Sequence, residues 1–308
     1  MKKDLLSLYE LDPGDFQLIF EKAQALKDCQ KKGIRHEILK GKTLGMIFYK
    51  SSTRTRLSFE VGMYQLGGIA IFLSNRDIQL GRGETIPDTA RIMSRYLSGI
   101  MIRTFSQESI EEFASYATIP VINGLTDLFH PCQILADLFT IIEAKGSFEN
   151  LTVAYIGDGN NVANTWIDAA AKLPIHLKLA CPEGYDPDQG VLERAKKEAA
   201  KGVELFRDPA VAAVNADVIY TDVWTSMGQE NEMEERLKAF RNYEVNAGLL
   251  ARAKKDAIVM HCLPAHRGEE ISADVIDGPQ SVVFDQAENR LHVQKAVMEI
   301  LMGGTVTK

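Results

Sequence analysis

The stretch SSTRTR (residues 51–56) places Arg54 and Arg56 among four small hydroxyl residues, between a β-like run and a helix-like one. A helix opening here would carry cations at the positive end of its macrodipole, where they are unfavourable. Ser52 or Thr53 can cap such a helix, and the N–H groups of its first turn then form an anion pocket. Arg54 adds a planar fork suited to phosphate oxygens. The stretch lacks the glycines and the lysine of a Walker loop. A capped surface helix with solvated arginines would show the same residues, but two cations set against the dipole favour a phosphate or carboxylate ligand.

Other candidates are spread along the chain. LFHPCQ (128–133) puts His130 before a proline at a helix start, where it can donate to a developing oxyanion, and Gln133 can read an amide. A lone loop histidine is more often structural. Arg103 closes the apolar run GIMIR (99–103), and a charge there must be paired or bind a ligand. VAYIGDGNNVANT (153–165) begins like a dinucleotide-binding turn, but Val162 stands where the third glycine would be. Its tip offers Asn160 and Asn161, better suited to a carboxylate at a helix N-terminus. TDVWTSMGQE (221–230) joins a strand-end Asp222 to a loop containing Ser226 and Met227. VMHCLPAHRGEEIS (259–272) sets Cys262 at a strand end, as a nucleophile, an acid–base thiol or a small buried hydrophobe. The charged residues after it read as a solvated helix start.

These residues need elements to hold them. PGDFQLIFEKAQALKDCQK spaces Phe16, Ile19, Phe20 and Ala23 as a helix. Short apolar runs then alternate with amphipathic segments, at 43–50, 69–74, 99–103 and 120–124. The second half repeats the alternation at 151–157, 176–182, 203–206, 217–224, 257–264 and 281–285. Such alternation predicts an α/β fold of two doubly wound, parallel-sheet, Rossmann-like domains. The domains are expected at 1–145 and 146–308, joined by helices, with KGSFEN as the linker. A closing helix at about 287–302, with Val293, Val297, Ile300 and Leu301 on one face, is expected to pack back toward the first domain. The polar clusters sit just after the C-terminal ends of the apolar runs, the edge where parallel sheets bind ligands. Two such edges facing each other would make a cleft.

Bulk properties narrow the classes. A chain of 308 residues is longer than one core usually grows. Its formal net charge of −7 argues against a general nucleic-acid binder, so any anion must be held by a local positive site. No run approaches the roughly 20 apolar residues of a membrane span. Near the N-terminus Asp4 and Glu10 interrupt any signal-peptide core. Four scattered cysteines without a CxxC pair fit a reducing, cytoplasmic setting.

Taken together, SSTRTRLSFE, HPCQ, DVWTSMG and HCLPAHRGEEI, in this order and spacing, resemble the carbamoyltransferases, and within them the ornithine-using branch. The resemblance covers about residues 4–303. It implies a carbamoyl-phosphate domain followed by an ornithine domain, a homotrimer with shared active sites that can assemble further, and no metal or organic cofactor. The implied reaction moves the carbamoyl group of carbamoyl phosphate to the δ-amine of L-ornithine, giving citrulline and phosphate in arginine metabolism. By matching motifs, Ser52, Thr53, Arg54 and Thr55 hold the phosphate, and Gln79 reaches that site from a neighbouring subunit. Arg103, His130 and Gln133 address the carbamoyl group, with main-chain groups of Cys262 and Leu263, and Arg290 completes the set. Asn161, Asp222, Ser226 and Met227 hold the α-amino and carboxylate end of ornithine. The catalytic group is then Arg103, His130, Cys262 and Asp222. The alternatives are a related amine acceptor, such as putrescine or N-acetylornithine, and, more remotely, an NAD-dependent Rossmann oxidoreductase.

Overall fold

The computed structural model describes residues 1–74, 78, 83–225 and 230–303. The chain divides into two compact units, Met1–Ala136 with Glu288–Lys308, and Asp137–Ala287. Each unit is built on one fully parallel sheet.

In the first unit, helix α1 (Pro13–Lys31) leads into strand β1 (Thr43–Phe48), α2 (Thr53–Gln65), β2 (Ile69–Ser74), α3 (Ile86–Tyr96), β3 (Gly99–Arg103), α4 (Gln107–Tyr116) and β4 (Val121–Leu125). The sheet order is β2-β1-β3-β4. Local chemistry sets the helix starts. Pro13 opens α1, where a missing N–H costs nothing, and Asp15 accepts the Asp12 N–H at 3.1 Å. Thr85 caps α3 by accepting the Asp88 N–H. Strand β1 is buried almost throughout, so it reads as a continuous apolar run rather than an alternation. Ile47, Ile100, Ile102, Ile110 and Val121 form the core between sheet and helices.

Helix α5 (Pro131–Lys145) opens in the first unit and ends in the second. The second unit continues with β5 (Thr152–Ile156), α6 (Asn161–Lys172), β6 (His176–Ala180), α7 (Gln189–Glu198), β7 (Val203–Phe206) and α8 (Pro209–Ala212). Then come β8 (Val218–Thr221), α9 (Met233–Phe240), α10 (Ala247–Leu250), β9 (Ile258–His261) and α11 (Ala273–Ile276). The sheet order is β7-β6-β5-β8-β9, with Ile156, Ile219, Trp224, Phe240 and Val259 in its core.

The last helix, α12 (Val283–Met302), corrects one expectation. The run SVVFD (281–285) is not a strand. Only an isolated bridge between Val259 and Ser281 touches the sheet before the chain turns into helix at Val283. A short apolar run has the same composition whether it is a strand or a buried helix start. From Glu288 onward α12 belongs to the first unit. Lys27 of α1 donates to Asn289 at 2.8 Å, and the buried Lys295 donates to Gln30 of α1 and Gln65 of α2. Burial among these neutral acceptors pushes the Lys295 amine down to about 8. Among the described residues, no helix is long and apolar enough to cross a membrane.

Candidate active site

In each sheet the chain reverses direction of growth beside the central strand. The reversal lies between β1 and β3 in the first unit and between β5 and β8 in the second. Ligands of parallel sheets bind at the carboxyl ends of such strand pairs. Most of the candidate residues that the structure describes cluster at these two places, one group in each unit.

In the first unit Ser52 is the residue that caps α2, its Oγ accepting the Thr55 N–H at 3.2 Å. The first turn of α2 carries no acidic residue, so its dipole is unopposed. Arg54 is half-buried on that turn, Thr53 is exposed and Thr55 is fully buried. Arg103 ends β3 opposite Phe48 of β1 and is buried. His130 precedes α5, with its carbonyl accepting the Gln133 N–H at 3.1 Å. Arg290 of α12 donates to Gln133 Oε1 at 2.7 Å and to Thr55 Oγ1 at 3.0 Å, joining three segments far apart in sequence. With its amide turned so that the oxygen faces Arg290, Gln294 accepts from Nη2 at 3.0 Å and from Nε at 3.1 Å.

The electrostatics follow from that crowding. Burial, and then the charges of Arg290, Arg103 and Arg54, hold the His130 imidazole well below the usual histidine range. His130 is therefore a neutral hydrogen-bonding group among three guanidinium ions. Its neighbour Cys132 is a core thiol, pushed up to about 12 by burial, with Asn123 O 3.5 Å from its sulfur. Gln79 lies outside the described residues.

In the second unit Asp222 follows β8 and is buried. Its Oδ1 accepts from Cys262 Sγ at 2.8 Å and from the Val223 N–H at 2.8 Å, and its Oδ2 accepts from Asn160 Nδ2 at 2.9 Å. Asn160 also caps α6 through its oxygen, accepting the Val162 and Ala163 N–H groups. One amide thus starts the helix and aims the carboxylate. Asn161, the first residue of α6, is half-buried beside it. Ser226 and Met227 lie outside the described residues.

The turn after β9 is held from below. His261 Nδ1 accepts the Leu263 N–H at 2.9 Å, which fixes the imidazole proton on Nε2, where it donates to Glu270 at 3.0 Å. Leu263 has a φ of 58° and precedes a cis peptide to Pro264. The charged stretch that follows is not a helix start. It forms a tight turn before α11, and Glu270 is completely buried rather than solvated.

The G-x-G turn after β5 has a different use from nucleotide binding. Gly157 adopts a φ of 138°, and Gly159 donates its N–H to Tyr185 O at 2.9 Å. A Cβ on Gly159 would meet the Pro187 nitrogen at 2.2 Å and the Asp186 carbonyl carbon at 2.3 Å. The space that the second glycine of a dinucleotide turn leaves for a pyrophosphate is filled here by the chain's own backbone.

Residues 3–143 match the family model described as aspartate/ornithine carbamoyltransferase, carbamoyl-P binding domain, and residues 149–301 match its Asp/Orn binding domain. The chain belongs to the aspartate/ornithine carbamoyltransferase family. A protein of Syntrophus aciditrophicus named ornithine carbamoyltransferase is 72% identical over 98% of this chain and 100% of its own length. The solved ornithine carbamoyltransferase of Pyrococcus furiosus is 55% identical, with a TM-score of 0.94 over 98% of this chain and 97% of that one. That of Burkholderia thailandensis is 47% identical, with a TM-score of 0.89 over 98% and 99%.

Within this carbamoyltransferase-family chain, several residues at the two clusters went unread in the sequence. Asn160, named with Asn161 as the tip of its turn, donates to Asp222, and the pair NN carries no sign of that bond. Asp158 and Arg236 form a buried ion pair at 3.0 Å, and Arg236 also donates to Trp224 O at 2.9 Å. Burial pushes the Asp158 carboxyl up to about 6, against the opposing charge of Arg236. In MEERLK, Arg236 has the composition of a solvated helix face, and nothing local marks it as buried. Gln294 and the His261–Glu270 pair carry no local signal either, because their partners are brought to them by the fold.

Proposed function

We propose that this chain transfers the carbamoyl group of carbamoyl phosphate to the δ-amine of L-ornithine, releasing L-citrulline and phosphate. The observation that carries the reading is that Arg290 bonds both Thr55, at the capped N-terminus of α2 that carries Arg54, and Gln133, at the start of α5 beside the buried His130, whose imidazole the charges of Arg290, Arg103 and Arg54 help to hold neutral. It suits a substrate with a dianionic phosphate and a carbonyl that gathers charge. The first unit is assigned to carbamoyl phosphate and the second to ornithine. The relatives' shared name supports both assignments.

The reaction makes three demands. First, a free alkyl amine has a pKa of about 10.4, so the site must select the small neutral fraction at pH 7. Asp222 suits the cationic α-amino group, and binding there offsets that selection. The Cys262 thiol donates a hydrogen bond to Asp222 Oδ1 at 2.8 Å, so the sulfur is turned toward that carboxylate. This favours a thiol that orients the amine over a thiolate that attacks. Second, attack on the carbamoyl carbon builds charge on the carbonyl oxygen. Arg103, the neutral His130 and the Thr55 hydroxyl are the donors for it, each contributing about 3 kcal/mol where geometry is good. Third, the leaving phosphate is held by Ser52, Thr53, Arg54 and the α2 dipole, and can itself take the amine proton.

We further assign a homotrimer in which Gln79 of one subunit completes a neighbour's phosphate site. Support comes from β2, an edge strand whose Ile69, Ile71 and Phe72 are exposed in the single chain. An uncovered apolar edge is a liability that a subunit contact removes. Four free cysteines, two of them buried, accord with a cytoplasmic role in arginine metabolism.

The deciding assay offers carbamoyl phosphate with ornithine, putrescine, N-acetylornithine or aspartate in parallel. Citrulline from ornithine, with the other acceptors at least a hundredfold poorer in kcat/KM, is the expected result. Turnover with aspartate or putrescine but not ornithine would overturn the branch assignment.

A further inference from the structure

The turn after Cys262 contains His266, Glu269 and Glu270, a donor set that the transfer reaction does not use. Glu270 is the unusual member, because its side chain has 0% exposure. Its Oε1 accepts from His261 Nε2 and from the His266 main-chain N–H at 2.6 Å. Its Oε2 is equally buried and has no hydrogen-bond partner. A buried carboxylate oxygen without a donor is costly, and such atoms are rare in folded proteins unless a cation serves them.

The atoms facing that oxygen have the right chemistry. His266 Nδ1 lies 3.7 Å from Glu270 Oε2 and 4.0 Å from Glu269 Oε2, and the three ligand atoms fall within 4.8 Å of one another. A tetrahedral ion with bonds of about 2.1 Å holds its ligand atoms roughly 3.4 Å apart. His266 is 53% exposed and Glu269 35%, so both can close that difference while Glu270 stays fixed. The loop's arginine does not neutralise the carboxylates, since Arg267 is engaged by Asp277 at 2.9 and 2.7 Å. His261 does not serve Oε2, because its Nδ1 accepts from Leu263 and its Nε2 is engaged by Oε1 of Glu270.

We propose that His266, Glu269 and Glu270 bind one divalent transition-metal ion. One imidazole and two carboxylates suit zinc, cobalt or nickel, whereas magnesium and calcium favour all-oxygen sites. The exposed side of His266 leaves a fourth position for water. A second group, Asp222, His261 and Cys262, is equally compact, but both His261 nitrogens are already committed. The two sites differ in a way that spectroscopy reads, since only the second has sulfur.

The test is a cobalt(II) titration of the tag-free full-length chain, followed by visible absorption and calorimetry. The expected result is one ion per chain, with d–d bands and no sulfur-to-cobalt charge transfer. His266→Ala and Glu269→Gln should each weaken binding at least tenfold, with circular dichroism matching wild type because both side chains are at the surface. Cys262→Ser should leave the affinity unchanged. Absence of saturable binding overturns the proposal, as does full affinity in His266→Ala. A thiolate charge-transfer band lost in Cys262→Ser places the ion at the other group and overturns it equally.

Discussion

Arg54 and Arg56 stand two residues apart on α2, yet their surroundings differ. Arg56 is exposed, forms an i,i+4 ion pair with Glu60 at 3.0 Å and covers the Phe72 ring at 3.9 Å. Arg54 is half-buried and close enough to His130 to depress its protonation. Residues two apart point to nearly opposite sides of a helix, so one phosphate cannot engage both equally. Arg54→Ala should weaken carbamoyl phosphate binding by about 1.5–3 kcal/mol, the range for a charged hydrogen bond. Arg56→Ala should leave that affinity intact and cost under about 1 kcal/mol of stability, as exposed ion pairs and cation–π contacts do. Calorimetric binding and urea midpoints separate the two effects, and equal losses of affinity in well-folded variants would refute the split. Cys262 supports a second prediction at this scale. With its S–H hydrogen-bonded to Asp222, it should form no thiocarbamate. Wild type mixed with carbamoyl phosphate alone should release no burst of phosphate, and Cys262→Ala should slow turnover while initial-rate patterns stay sequential. A stoichiometric burst would reinstate the covalent route.

At the scale of elements, the N-terminus of α6 joins stability to function through one amide. Asn160→Ala removes both the cap and the donor to Asp222, so it should cost about 1–2 kcal/mol of stability and raise the KM for ornithine. Asn160→Asp is the sharper variant, because aspartate caps a helix as well as asparagine does. It should keep the folded stability to within about 1 kcal/mol while placing a second carboxylate against Asp222. A raised ornithine KM with an unchanged KM for carbamoyl phosphate is expected, and no change in either would show that Asn160 only caps. Much of this frame is legible without coordinates. The apolar runs at 43–50 and 99–103 announce strands because a buried parallel strand has no polar face to alternate with. SSTRTR announces an anion site because its chemistry is local. The Arg290–Thr55 bond crosses 235 residues and Asn160–Asp222 crosses 62, so neither leaves a periodicity to read. SVVFD misleads for a related reason: five residues are too few for the 3.6 and 2.0 periods to separate.

For the whole molecule, the buried His292 and Asp158 have opposite tendencies and sit in different units, and this shapes the response to acid. In the first unit His292 is lowered to about 4 by burial, with Glu288 accepting at 3.1 Å and Lys295 and Lys27 opposing its charge, and burial also holds His130 well below the usual histidine range. Unfolded histidine protonates near 6.5. As pH falls from about 6.5 toward 4, the unfolded chain takes up protons that the folded first unit refuses. The stability these groups supply is therefore complete above about 6.5 and lost below it, by roughly 3 kcal/mol for His292 alone. In the second unit Asp158 is raised to about 6, so its linkage has the opposite sign. The folded state binds a proton there before the unfolded state does, and stability is gained as pH falls from about 6 toward the usual aspartate range. Acidification should therefore loosen the first unit before the second. Hydrogen exchange at pH 7 and pH 5 tests this peptide by peptide. Protection should fall first in α2, α12 and the start of α5, while β5, β8 and α9 keep theirs. His292→Gln, which removes the titrating ring, should narrow the difference. Simultaneous loss in both sheets, or earlier loss around Asp158, would mean that other carboxylates govern acid unfolding.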